Sequence, residues 1–276
     1  MAAAALHWNA EALRSQLAAR RAGLALEIVA ETRSTSSDLL DRLRVDPFRP
    51  CLRVAERQTD GRGRHGRRWR AQPGASLTFS LALPIARADW SGLSLAIGVA
   101  LADALDPPSA AHRIGLKWPN DLWLLDTPDR GRKLGGILIE TAPSAAGRVA
   151  VIGIGLNIAG RHRAGTDYGS GYASVDELDP GADAPATLAR VAVPLLDALD
   201  LFEEAGFAAV QERFAARDLL AGRPVRTTQH GVADGVAEGV SGDGALRVRS
   251  ADGRLHAVAS GEVSVRVGAS AGATPC

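Results

Sequence analysis

The chain has 276 residues, 46% apolar and 23% charged, enough for one large domain with a real core and a smaller companion. Its 32 Lys and Arg nearly balance 31 Asp and Glu, which excludes nucleic-acid or membrane-surface binding driven by bulk charge. Two cysteines, Cys51 and Cys276, form no disulfide framework; with no signal-peptide pattern and no apolar window of ~20 residues, a cytoplasmic protein is expected.

Asn9 caps a first helix running to Arg21, with Gly23 as its stop. A strand over residues 26–30 follows. Thr35-Ser-Ser-Asp38 then has the form of a capping box and opens a short helix that ends before Pro47. Residues 51–55 are strand-like and lead into a glycine-arginine run. Residues 76–83 read as a strand and 91–105 as a buried helix rich in Ala and Leu. Strands are expected at 114–118, 122–125, 134–141 and 149–158, with the turn Asp126-Thr-Pro-Asp-Arg-Gly131 among them. Residues 186–220 carry a helical pattern. After Gly222-Arg-Pro224 the chain changes to short β-like pieces broken by Gly and Asp. The expected division is a domain over 1–221, a small β-domain over 222–268 and a flexible tail over 269–276. Strands and helices mix without βαβ alternation, so the fold class is α+β rather than a doubly wound sheet.

Gly61-Arg-Gly-Arg-His-Gly66 matches the letters of the dinucleotide fingerprint, but that motif needs a helix to start at the glycines. Here Arg67-Arg-Trp-Arg-Ala-Gln-Pro73-Gly74 follows, which cannot sustain one. Residues 61–70 hold five arginines and no acid. Such a segment is held open by its own repulsion and is closed by an anion, with glycines admitting backbone N–H groups. A lid over a reactive phosphate-containing intermediate fits this pattern; a solvated basic loop or a weak nucleic-acid patch is the plainer reading of the run alone. The six histidines show no ligand spacing, so no metal site is expected. Neither a G-x-S-x-G elbow nor a Walker-type loop occurs.

Further motifs decide between those readings. They are Ser34-Thr35, Gln58-x-x-Gly61-Arg-Gly-Arg64-x-Gly66-x-x-Trp69, Lys117-Trp-Pro-Asn-Asp121, Lys133-Leu-x-Gly136-Ile-Leu-x-Glu140, Gly155-Leu-Asn157 and, more loosely, Gly261-Glu-Val-Ser-Val-Arg266. In this order they resemble the catalytic domain of biotin protein ligases, over nearly the whole chain. Ser36 stands where that family often has Asn, and Gly135 where Ala is common. The resemblance implies a mixed-sheet catalytic domain of the biotin/lipoyl ligase type, like that of class II aminoacyl-tRNA synthetases, with an SH3-like C-terminal β-barrel. About 27 residues precede the first matching strand, too few for the helix-turn-helix of many bacterial members, so no DNA binding is expected.

The same resemblance implies two half-reactions. Biotin and ATP, with Mg²⁺, give biotinyl-5′-AMP; a lysine of a biotin carboxyl carrier protein then takes the biotin. Bringing two anions together requires cations, and Arg64, Lys117 and Lys133 are the candidates. Ser34, Thr35, Ser36, Gln58, Gly61, Arg62, Arg64, Lys133 and Gly136 are the expected biotin contacts. Trp69, Asn120, Asn157, Tyr172 and Arg266 are the expected nucleotide contacts. Asp121 is placed to orient or deprotonate the attacking lysine. No tightly bound cofactor and no membrane partner are expected, and sheet edges admit a homodimer. A lipoate–protein ligase and a non-enzymatic anion- or RNA-binding module are the competing readings.

Overall fold

The computed structural model describes residues 6–45, 48–107, 112–127, 130–144, 147–160, 171–230, 234–259 and 265–267, with backbone only at 45 and 265–267. The expected tail and Gly261 to Ser264 of the last motif lie outside the described residues. Helix α1 (Ala10–Arg20) starts after Asn9, which takes a left-handed conformation and makes no side-chain cap bond. Strand β1 (Ala25–Thr32), helix α2 (Thr35–Val45) and strand β2 (Cys51–Arg62) form a βαβ unit, β1 and β2 being parallel. The expected capping box shifts by one residue. Ser34 Oγ accepts from Ser37 N–H at 3.4 Å, while the Asp38 carboxylate accepts from the Thr32 hydroxyl and from Arg53, each at 2.7 Å.

The arginine-glycine run is a hairpin rather than a loop. Strand β2 continues through it, turns at residues 64–66 and returns as β3 (Arg68–Ala71), pairing Gly61 with Trp69. Strand β4 (Ser76–Pro84) pairs antiparallel with both β2 and β8 (Gly147–Asn157). Strands β5 (Ile114–Lys117), β6 (Asp121–Thr127) and β7 (Arg130–Ser144) complete the first sheet, in the order β1-β2-β4-β8-β7-β6-β5.

Alternation along β4 sorts the two faces of this sheet. Leu77, Phe79, Leu81 and Leu83 are fully buried in the main core, where α4 (Ala184–Ala205) covers β4 and α3 (Leu93–Leu105) lies over β5 to β7. The other face carries Ser76, Thr78, Ser80 and Ala82. There α2 packs through Leu39 onto Cys51, Ala82, Val149 and Val151. Helix α3 is apolar around most of its circumference because the sheet and α4 cover it from two sides. The helical pattern expected over 186–220 breaks at Gly206, whose φ of 70° suits glycine, and resumes as the short α5 (Gln211–Ala215).

A second, antiparallel sheet follows, in the order β12-β11-β10-β9-β13. Its strands are β9 (Pro224–Thr227), β10 (Asp234–Val240), β11 (Leu246–Arg249), β12 (Leu255–Val258) and β13 (Val265–Val267). The chain is therefore α+β, as its sequence indicates. Val225, Ala237, Val240, Leu246, Val248 and Val258 join the main apolar cluster without a break. Trp118 Nε1 donates to Gly244 O at 3.0 Å and Gln211 Nε2 to Val240 O at 2.9 Å, so the second sheet is fixed to the first unit by polar bonds as well.

Candidate active site

A cleft of about 1030 Å³ opens on the α2 face of the first sheet. The βαβ unit supplies one part of its wall. Ser34, Thr35 and Ser36 stand at the start of α2, and Gln58 lies at the end of β2, because β1 and β2 run parallel and α2 returns the chain between them. Gln58 Oε1 accepts from Thr35 N–H at 2.7 Å and from the Thr35 hydroxyl at 3.1 Å. Thr78 and Ser80 of β4 and Gly153 of β8 face the same space.

The centre of the cleft is charged. Lys133 Nζ donates to Asp121 Oδ1 at 2.6 Å, and a Cβ on Gly136 would stand 3.3 Å from that oxygen, so glycine leaves this ion pair open to the cleft. Arg64 enters from the hairpin. Burial lowers its pKa from the ordinary arginine value, and the nearby Asp121 charge works the other way. Arg62 pairs with Glu140 of β7 at 3.1 Å, tying the hairpin to the sheet. Lys117 holds its ammonium 4.8 Å from the centre of the Trp123 ring. Among the described lining residues eight Lys and Arg face one carboxylate, Asp121. Such a cleft concentrates positive potential in a low-dielectric space and suits a ligand with several negative charges. Among the described residues no group of three or more His, Cys, Asp and Glu could hold a metal ion.

Several expected contacts stand elsewhere. Gly61 belongs to the hairpin, where a Cβ would come within 2.3 Å of Trp69 O; it permits the strands to close and does not line the cleft. Trp69 does line it. Its indole lies over Gly155, where a Cβ would be 2.4 Å from the ring, and its Nε1 is buried without a partner. Asn120 faces the cleft but donates to Ile137 O at 2.8 Å. Asn157 is buried behind the wall, its amide donating to Lys133 O at 3.1 Å and Ala173 O at 3.0 Å. Tyr172 bridges to the Lys133 backbone and donates its hydroxyl to Ala159 O. Both residues therefore stand behind Lys133. Arg266 falls on β13, and its side chain is outside the described part of the structure.

Ser80, Thr78 and Arg223 are among the lining residues that had no role in the sequence reading. The first two had a visible mark, being polar at alternate positions of an otherwise apolar strand.

The family comparisons agree with this geometry. Residues 29–157 match the biotin/lipoate A/B protein ligase family, and residues 221–266 match the biotin protein ligase C-terminal domain. The chain is 34% identical over 271 residues to the biotin–[acetyl-CoA-carboxylase] ligase of Mycobacterium tuberculosis, covering 91% of this chain and 93% of that one. It belongs to the biotin protein ligase family. Another ligase it resembles is the bifunctional ligase/repressor BirA of Salmonella typhimurium, 35% identical, with 84% of this chain and 72% of the relative covered. Among solved structures, the biotin protein ligase of Aquifex aeolicus in complex with biotin and ATP superimposes with a TM-score of 0.74 at 28% identity, covering 88% of this chain and 99% of that one. The small second sheet is thus the C-terminal domain of a biotin protein ligase, and its strand pattern is consistent with an SH3-like fold.

Proposed function

We infer that this protein is an ATP-dependent biotin protein ligase. It condenses biotin with ATP to biotinyl-5′-AMP and pyrophosphate, and passes the biotin to a lysine of a carboxylase's biotin carrier domain. The observation that carries this reading is one cleft with two characters: a hydroxyl- and amide-lined end at Ser34, Thr35, Ser36 and Gln58, continuous with a cationic centre at Arg64, Lys117 and Lys133. The first suits a polar head group without charge; the second offsets the repulsion between a carboxylate and the α-phosphate.

Ser34, Thr35, Ser36 and Gln58 read the ureido ring, Arg62 adds a backbone N–H group from the hairpin that Gly61 allows to close, and Gly136 leaves space for the valeryl chain. Arg64 and Lys133 neutralise the carboxylate and phosphate, with Lys117 beside them. Trp69 and Asn120 border the nucleotide. Asn157 and Tyr172 serve it from behind the wall by holding the Lys133 backbone, and Arg266 is the nucleotide contact assigned to the second domain. Asp121 orients or deprotonates the acceptor lysine. ATP and Mg²⁺ are co-substrates, and no tightly bound cofactor is needed. Domain limits at 1–221 and 222–268, a tail at 269–276, a cytoplasmic location and a homodimer formed through sheet edges belong to the same proposal. No helix among the described residues is long and apolar enough to cross a membrane, and action without membrane or operator DNA belongs to the same proposal.

Incubation with biotin, ATP, Mg²⁺ and a carrier domain tests the reading by intact mass. One biotinyl group on the carrier and release of AMP are expected. A carrier that gains no mass with biotin, or gains lipoyl mass instead when lipoate is offered, rejects it.

A further inference from the structure

One end of the cleft contains a chain of hydroxyls whose proton directions follow from a single fixed donor. The backbone N–H of Thr35 can only donate, so the Gln58 atom 2.7 Å away is the oxygen of its amide. The Thr35 hydroxyl lies 3.1 Å from that same oxygen and directs its one proton there. Towards Ser80 Oγ, 2.7 Å away, Thr35 then offers only lone pairs, so Ser80 donates. Ser80 in turn has only lone pairs for Ser36 Oγ at 2.9 Å, so Ser36 donates. The protons run from Ser36 to Ser80 to Thr35 to Gln58. All three hydroxyl residues are buried, Ser80 completely, so bulk water does not compete for these bonds. Gly153 makes the packing possible, since a Cβ there would stand 2.6 Å from Ser36 Oγ.

This order decides what the cleft presents. Ser36, its proton engaged, offers a ligand lone pairs alone. Gln58, its oxygen engaged, offers the N–H groups of Nε2. Ser34 Oγ accepts from Ser37 N–H at 3.4 Å and keeps its own proton to donate. One acceptor beside two donors complements a cyclic urea, which has N–H groups flanking a carbonyl.

We propose that Ser80 is a positioning residue that fixes Ser36 as an acceptor for a ureido N–H, so that a hydroxyl relay selects the cyclic urea in this chain. The proposal rests on the reading that this cleft activates biotin. It gives Ser36 the acceptor role for which its hydroxyl is suited only when Ser80 takes its proton.

The test is biotin-dependent exchange of labelled pyrophosphate into ATP. It compares wild type, Ser36→Ala and Ser80→Ala, each with biotin and with the two biotins methylated at one ureido nitrogen. Each variant is expected to raise the KM for biotin about five- to tenfold, the loss of roughly one buried hydrogen bond, and to leave the KM for ATP where it was. One methylated isomer is disfavoured by the wild type relative to biotin, and that ratio falls towards one in both variants. A role for Ser80 in packing alone raises KM for all three acids by the same factor and keeps the ratio, which overturns the proposal. An unchanged biotin KM in both variants overturns it as well. Wild-type protein showing no biotin-dependent exchange at all overturns the functional reading together with the relay, whereas normal exchange with unchanged ratios overturns the relay alone.

Discussion

Lys133 and Asp121 share one short ion pair, and that pair changes what a substitution at either residue reports. Asp121→Ala removes the carboxylate proposed to orient the acceptor lysine and also releases Lys133 from its ion pair. Both half-reactions are therefore expected to slow, transfer further than adenylation by about tenfold or more, given that positioned acid–base groups contribute 10²–10⁴. Equal losses in the two steps, measured separately, would remove Asp121 from the chemistry of the acceptor amine. Residue types were legible at this scale, and side-chain directions were not. Ser34, Thr35, Gln58, Lys117 and Lys133 all reach the cleft as their types suggested. Asn157, expected at the nucleotide, ends β8 and turns its amide to two carbonyls behind Lys133, where it is buried. Ser80 shows in the sequence only as a polar break in an apolar strand, because its partners Thr35 and Ser36 come from a distant stretch of the chain.

The hairpin of β2 and β3 shows how far an element can be read from its composition. Glycines and arginines at residues 61–70 indicate an anion-holding segment, but the cross-strand contacts that make it a hairpin are set by Gly61 facing Trp69. Gly61→Ala forces a methyl against a backbone oxygen that cannot move without unzipping the pair. A loss of about 1–3 kcal/mol is expected from such overpacking, read from the denaturation midpoint. Wild-type stability in this variant would show that the hairpin is not closed this way. Helix α2 is tied to β1 and β2 by Glu27, which accepts from Arg42 at 2.7 Å and from Arg53 at 2.6 Å. The Arg42 hydrogen bond, more than the Arg53 one, holds the Glu27 carboxyl below its ordinary value of 4.5, with burial opposing. A depressed carboxyl stabilises the fold above its unfolded pKa and loses that contribution as pH falls through the folded one. Melting temperature should thus decline on acidification below that ordinary value and change little above it on this account, and Glu27→Gln should flatten the decline. Most strands and helices followed from periodicity; β3 and the break at Gly206 did not. The helix cap shifted by one residue because Asp38 was drawn away to Thr32 and Arg53, a tertiary pull that no local pattern contains.

At the scale of the whole molecule, two sheets share one apolar core, and Trp118 stands at their junction. Its indole N–H donates to Gly244 O, while Gly244, at φ 80°, comes so close to Gly92 that a Cβ would be 2.6 Å from the Gly92 Cα. Trp118→Phe removes the donor and leaves a buried carbonyl unpaired, at about 1–3 kcal/mol. Earlier protease cleavage near residues 221–223 and a lower melting temperature are expected; identical cleavage would show that apolar packing alone holds the domains. The change of character after residue 222 anticipates the second sheet, whereas its attachment to the first through Trp118, read from sequence as part of a strand–turn junction, does not show in composition. The β1–α2–β2 crossover has a different kind of consequence. Every side chain of the hydroxyl- and amide-lined end except Thr78, Ser80 and Gly153 comes from one contiguous stretch, residues 25–62, while Lys117, Asp121 and Lys133 lie later in the chain. On the proposed reading, a change of head group begins in that first stretch but carries β4 and β8 with it through Ser80 and Gly153, while the cations that activate the acid stand on other elements.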